Sequence, residues 1–201
     1  MPTINGKACV VNGTPVDKVF SNGKQVYSRN LFTLQMVTDI NGLTILENGI
    51  TYQNGGWAGE FMSNAMLKTM LSPDTEYSVQ YTFQLLSKES GTVPKYQNAH
   101  GSFLLYSGVT GYPNIDLGRV WEVSINDAKT WVVGTTRVRK STFKTPADLY
   151  DEAAKYKIIF YTMSSERTDG TFKWEKGKFY DVKFEEYGDN TIYTPAPEDV
   201  M

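Results

Sequence analysis

The chain has little of what usually announces chemistry. Its 201 residues include one cysteine, Cys9, and one histidine, His100. A lone thiol excludes an internal disulfide, and the two together fall short of the four ligands of a structural zinc site. No run approaches the roughly eighteen apolar residues that cross a bilayer, so no membrane role is expected. Neither charge is in surplus: 20 Lys and Arg against 22 Asp and Glu leave a net charge of −2. Without a basic excess to hold a phosphate backbone, nucleic acid is disfavoured as a partner. The opening Met1-Pro2-Thr3-Ile4-Asn5-Gly6 lacks the charged and apolar regions of a signal peptide. The protein is therefore expected to be made and kept in the cytoplasm of its producing cell.

Catalytic arrangements are also missing. There is no Gly-x-Ser-x-Gly elbow, no His-Glu-x-x-His and no Walker-type loop. Glu185 and Glu186 are neighbours on an expected strand, point to opposite faces and cannot share a substrate. With Asp181 they read as solvated positions. His100, in a polar loop, has no partnered nucleophile nearby, and Cys9 sits in an apolar run as a small hydrophobe. The expectation is a protein that is not an enzyme and requires no cofactor.

What is present is strand material. Hydrophobic residues make up 40% of the chain and aromatics 13%, enough for a real core. Tyr77, Val79, Tyr81, Phe83 and Leu85 alternate with Ser78, Gln80, Thr82 and Gln84, the period-two pattern of a strand with one buried side. A second alternation puts Tyr180, Val182 and Phe184 on one face, opposite Asp181, Lys183 and Glu185. Trp121, Val123 and Ile125 make a third buried row, and Trp131 and Trp174 are assigned to the core. Ser63 to Leu71 reads as one or two helical turns, or a bulged strand. Ala147 to Ala154 reads as one short helix, with Thr145 as N-cap and Pro146 at its first position. Eight or more short strands, almost no helix and no fixed repeat argue for an antiparallel β-sandwich. Asn5-Gly6, Asn12-Gly13 and Asn22-Gly23 punctuate the first thirty residues with hairpin signals. That segment reads equally as a strand pair packed on the main domain or as an attachment segment.

Two stretches carry a family resemblance: 20–31, Phe-Ser-Asn-Gly-Lys-Gln-Val-Tyr-Ser-Arg-Asn-Leu, and the ending Thr194-Pro195-Ala196-Pro197-Glu198-Asp199. The chain resembles the carbohydrate-binding jelly-roll modules in tail and baseplate proteins of phages that infect lactic acid bacteria. The resemblance implies a hairpin extension over 1–30, a jelly-roll domain over 31–195 and a tail over 196–201. It implies a virion protein whose partners are host cell-wall polysaccharide and, through residues 1–30, other tail or baseplate proteins. The alternative is a virion component that is purely structural. Modules of this kind often carry a structural calcium, and turns such as Asn114 to Asp116 offer oxygen ligands.

The saccharide-binding candidates come from the residues themselves. Sugars present a C–H face that stacks on aromatic rings, and hydroxyls that need amides or charged groups. Trp57, set among glycines, is either a stacking ring or a cap on the sandwich end. Tyr112 lies in a Gly/Pro/Asn loop and has the same two readings. Strand parity turns Tyr106, Tyr161, Gln80 and Gln84 outward. Arg137, with Arg139, is suited to an anionic polysaccharide through bidentate bonds, although such arginines are more often simply exposed.

Overall fold

Strand β8 (Glu76–Leu85) has the alternation expected of it, and its neighbours show why. It pairs along its whole length with β11 (Thr136–Lys144) on one side and with β14 (Gly177–Glu186) on the other. A strand enclosed on both edges has every backbone group satisfied, so its apolar side chains are free to face the interior. The computed structural model describes residues 10–11, 14–37, 43–46, 49–52, 59–87, 100–119, 133–166 and 172–186. Cys9, Trp57, Trp121, Val123, Ile125, Trp131 and the ending 194–199 lie outside them.

Two short antiparallel pairs come first: β1 (Val10–Val11) with β2 (Thr14–Pro15), and β3 (Lys18–Ser21) with β4 (Lys24–Ser28). Asn22 and Gly23 both take positive φ, 51° and 75°, at the turn of the second pair, as the Asn-Gly signal requires. Then follow β5 (Leu43–Leu46), β6 (Gly49–Tyr52), β7 (Gly59–Met62), helix α1 (Asn64–Met70) after β7, β9 (His100–Tyr106), β10 (Ile115–Arg119), β12 (Lys157–Glu166) and β13 (Phe172–Glu175). The Ser63 hydroxyl caps α1 by accepting from the Met66 N–H.

One sheet has the order β11-β8-β14-β6-β5. The other runs β10-β9-β12-β13, with β7 also paired to β12. All of these pairings are antiparallel. Take β6, β7, β8, β9, β10, β11, β12 and β14 as first to eighth. One sheet then holds first, eighth, third and sixth side by side, and the other holds second, seventh, fourth and fifth. That wiring is a jelly roll, with successive strands crossing between two sheets. Between them lies an aromatic core. The Phe179 ring meets Phe83 at 4.9 Å, Phe103 at 4.8 Å and Phe160 at 5.0 Å between centroids, all steeply inclined. Inclined rings at this spacing match positive edges to negative faces. Because these rings come from both sheets, Phe179 fastens one to the other.

Three expectations need correction. Tyr180 does not share a face with Val182 and Phe184. The register of β14 on β8 shifts between Tyr180 and Lys183, so Asp181 and Val182 together oppose the single residue Tyr81. Asp181 takes φ 51° at this β-bulge, a conformation Asp tolerates better than most residues. The bulge keeps both Phe179 and Phe184 on the core side and leaves Tyr180 outside. Glu185 is not solvated: it and Lys183 are 2% and 1% exposed. Residues 147–154 form a series of turns instead of a helix, with i−3 bonds at Leu149, Asp151 and Ala154. The Thr145 hydroxyl, the expected cap, bonds instead to the carbonyls of Ser72 and Thr75 and accepts the Thr75 N–H. Asp151 takes the Ala153 N–H into its side chain, a local competitor to helix.

Past the bulge β14 leaves β6, which pairs only as far as Tyr180. Asn30 takes over its edge. Its amide donates to the Val182 carbonyl at 2.8 Å and accepts the Phe184 N–H at 3.0 Å, and the Leu31 N–H reaches the Phe184 carbonyl at 2.8 Å. A side-chain amide carries the same donor and acceptor as a peptide group, so it can stand in for a strand there.

Candidate functional site

The outer side of the β11-β8-β14 sheet is a ladder of polar rows. In register across the three strands stand Thr136, Gln84 and Lys178; then Val138, Thr82 and Tyr180; then Lys140, Gln80 and Lys183; then Thr142, Ser78 and Glu185. The first two rows are partly open. Tyr180 is half-buried, and the Lys178 ammonium sits 5.0 Å from its ring centroid. Its cross-strand partner on β6 is Gly49, where an added Cβ would stand 2.7 Å from the Tyr180 Cβ. Only a glycine lets the tyrosine sit this way. Burial pushes the Tyr180 phenol above its ordinary value and the Asp181 carboxylate adds to it, while a hydrogen-bonding contact with the Thr136 side chain works the other way. Thr136 is two strands away and one row along. Between them on β8, directly opposite Tyr180, is Thr82, which is only 6% exposed. Gln84 donates to the Gly134 carbonyl at 3.2 Å, which leaves its amide oxygen for another donor. The buried Gln80 amide oxygen has no hydrogen-bond partner.

The last two rows are closed on β14 and open on β11, where Lys140 and Thr142 are exposed. The Lys183 ammonium pairs with Glu185 at 3.1 Å, and the Ser78 hydroxyl donates to the other Glu185 oxygen at 3.1 Å. Burial holds Lys183 below its ordinary value; the Glu185 carboxylate restrains that fall, and the nearby Lys140 charge adds to it.

The structure distributes the expected saccharide-binding residues. Gln80 and Gln84 share the face just described. Tyr106 belongs to the other sheet, opposite Lys157; a Cβ on Gly108, at φ +71°, would lie 2.7 Å from its ring. Tyr161 stands opposite Ser102 in that same sheet. Tyr112 is tied into a loop at one end of the sandwich, donating to Asp151 at 2.7 Å and meeting the Tyr156 ring edge-on at 6.2 Å. That hydrogen bond raises the Tyr112 phenol and lowers the Asp151 carboxyl. Arg137 pairs with Phe83, so its backbone position is on the core side, but β11 is the edge strand and the side chain is exposed there. Its guanidinium lies 3.5 Å from the Thr136 carbonyl. Trp57 lies outside the described residues. Sequence reasoning missed Tyr180, Lys178, Thr136 and Lys140. The one available signal was Asp181 itself, a poor strand former that tolerates positive φ, in mid-strand.

A cleft of about 310 Å³ lies between the segment that follows β4 and helix α1, lined by Arg29, Leu31, Thr33, Gln35, Met36, Met66 and Thr69. No ring lines it, so it offers a sugar no stacking surface. Around the suggested calcium turn, the Asn114 side-chain oxygen already accepts the Ser107 N–H at 3.0 Å. Among the described residues no three His, Cys, Asp or Glu side chains gather as metal ligands, so no calcium ligand set is assigned.

No family model matches the chain, and no curated protein matches it. Among solved structures it is similar to a family 16 carbohydrate-binding module, at 7% identity and a TM-score of 0.31, over 68% of this chain and 74% of that one. It is also similar to the CBM22-1–GH10 modules of the Clostridium thermocellum xylanase 10B, complexed with xylohexaose, at 15% identity and a TM-score of 0.30. That likeness covers 73% of this chain and only 20% of the xylanase chain. At such scores neither likeness carries a functional conclusion, and the jelly-roll assignment rests on the strand order.

Proposed function

We propose that the outer face of the β11-β8-β14 sheet binds saccharide without catalysis, and that the chain is a phage tail or baseplate accessory protein holding host cell-wall polysaccharide. One observation carries the reading: on the outer side of the sheet the half-buried Tyr180 stands opposite Thr82, which Gln80 and Gln84 flank along β8. A ring gives stacking area at little conformational cost, and amides orient hydroxyls. Gln80 and Gln84 keep the role the sequence suggested, and Tyr180 joins them. Tyr106 and Tyr161 belong to the opposite sheet, beyond the reach of the same ligand.

The test is retention of the purified protein on walls of susceptible lactic acid bacteria. Stacking on one ring contributes on the order of 1–3 kcal/mol, if nucleic-acid bases are a fair guide. Tyr180→Ala should therefore weaken retention by roughly tenfold or more, while Tyr106→Ala leaves it unchanged. Unaltered retention in Tyr180→Ala would remove this face from consideration. Absence of retention on any susceptible strain would favour the purely structural role. One observation supports that second reading: Phe20, on the β3–β4 hairpin, is 61% exposed, a foothold for another virion protein. Phe20→Asp should then block incorporation into virions and leave wall retention intact.

A further inference from the structure

We infer that the saccharide held by this face is acidic, with carboxylate or phosphate groups seated over β11. The inference rests on the binding reading above and adds the ligand's charge. The sequence of β11, Thr-Arg-Val-Arg-Lys-Ser-Thr-Phe-Lys, contains four basic residues and no acidic one, in a chain whose net charge is −2. Two of the four are already engaged. Lys144 pairs with Asp74 at 2.7 Å, and Arg139 has interactions of its own. Arg137 and Lys140 are exposed, and neither meets a carboxylate among the described residues.

Their positions fit one ligand. Lys140 stands on the face itself, in the row of Gln80, while Arg137 leaves edge strand β11 from the opposite side, with its exposed guanidinium 3.5 Å from the Thr136 carbonyl. Lys140 is two strands across and two residues along from Tyr180. Strand spacings of about 4.8 Å and rises of about 3.4 Å put the two backbone positions roughly 12 Å apart. An oligosaccharide of a few rings spans that distance, stacking one ring on Tyr180 and bringing an acidic group to Lys140, and past it to the edge where Arg137 is exposed. The Lys140 charge already presses on Lys183, and an anion bound there would relieve it. The competing explanation is that cations on an edge strand only deter pairing with other chains.

The experiment uses the full chain and wall polysaccharide from a susceptible strain in three forms: intact, stripped of phosphate by hydrogen fluoride, and with its carboxyl groups reduced. Calorimetry should show the intact polymer binding about tenfold more tightly than at least one neutralised form, and the form that loses affinity tells phosphate from carboxylate. Raising salt from about 0.05 to about 0.5 M should weaken only the acidic ligand, since exposed charges are screened within a few ångströms at the upper value. Arg137→Gln with Lys140→Gln should erase the preference, leave affinity for the neutralised polymer within about twofold and leave the melting temperature unchanged, as exposed substitutions generally do. Equal affinity for all three forms, with Tyr180→Ala still abolishing binding, overturns the acidic inference and spares the saccharide reading. Failure of the unaltered protein to bind any form overturns both.

Discussion

The outer side of β14 contains the same motif twice, with opposite outcomes. Lys178 and Tyr180 stand before the bulge; Lys183 and Glu185 stand after it. Each pair is a lysine followed two residues later by a large side chain, facing the same polar row of β8. The first pair is half-buried, and the second is 1% and 2% exposed. Alternation therefore sets the direction of a side chain and does not set its contact with water. The second stretch runs where Asn30 and Leu31 close the strand's edge. There a lysine persists only because a carboxylate neutralises it, and the carboxylate because a lysine and a hydroxyl satisfy it.

The most drastic change to the comparison is to erase the bulge. Deleting Asp181 leaves Phe179, Tyr180, Val182, Lys183 and Phe184 in unbroken alternation, with Phe179, Val182 and Phe184 still on the core side and the register on β8 kept. The deletion variant should therefore keep a cooperative thermal transition, and loss of that transition would show that the bulge is needed for folding.

Next come the two stretches taken separately. Glu185→Ala leaves the Lys183 charge buried and unpaired, and should cost about 3–5 kcal/mol in urea denaturation. Lys178→Ala removes a more open cation and should stay within about 0.5 kcal/mol. Equal costs would mean that the two ends do not differ in burial as described.

The smallest effects belong to the bulge residue. Asp181→Val puts a β-branched side chain at φ 51° and should cost about 1–2 kcal/mol. Asp181→Asn, suited to that conformation, should change stability by a few tenths. Burial holds the Asp181 carboxyl above its ordinary value, with Lys178 opposing. Its charged form is thus disfavoured in the fold, and the stability linked to it is present at acid pH and lost as pH rises through the folded value. The asparagine variant should therefore gain on the parent from acid to neutral pH; a gain in the reverse direction would contradict the raised carboxyl.

Much of the sandwich was legible because alternation is a local property. Val79, Tyr81 and Phe83 announced themselves by period, and so did Val182 and Phe184; all five are buried. Asn22-Gly23 marked its hairpin because few other pairs accept positive φ twice. The site was less legible. Gln80 and Gln84 were placed outward correctly, but Tyr180, which the same alternation put inside, stands on the outer side with them. One inserted residue reverses every assignment before it, and nothing in the local pattern marks the insertion beyond an aspartate.

By itself the sequence determined the period of the strands, the residues able to fill a core and the turns that need positive φ, since each depends on a residue and its near neighbours. Only the tertiary structure decided which strands share a sheet, where β14 bulges, that Lys183 and Glu185 are buried together and that Tyr180 stands on the outer side, opposite Thr82. Those outcomes depend on pairing between residues a hundred positions apart. The partner strand sets the register, and with it which side chains share a row.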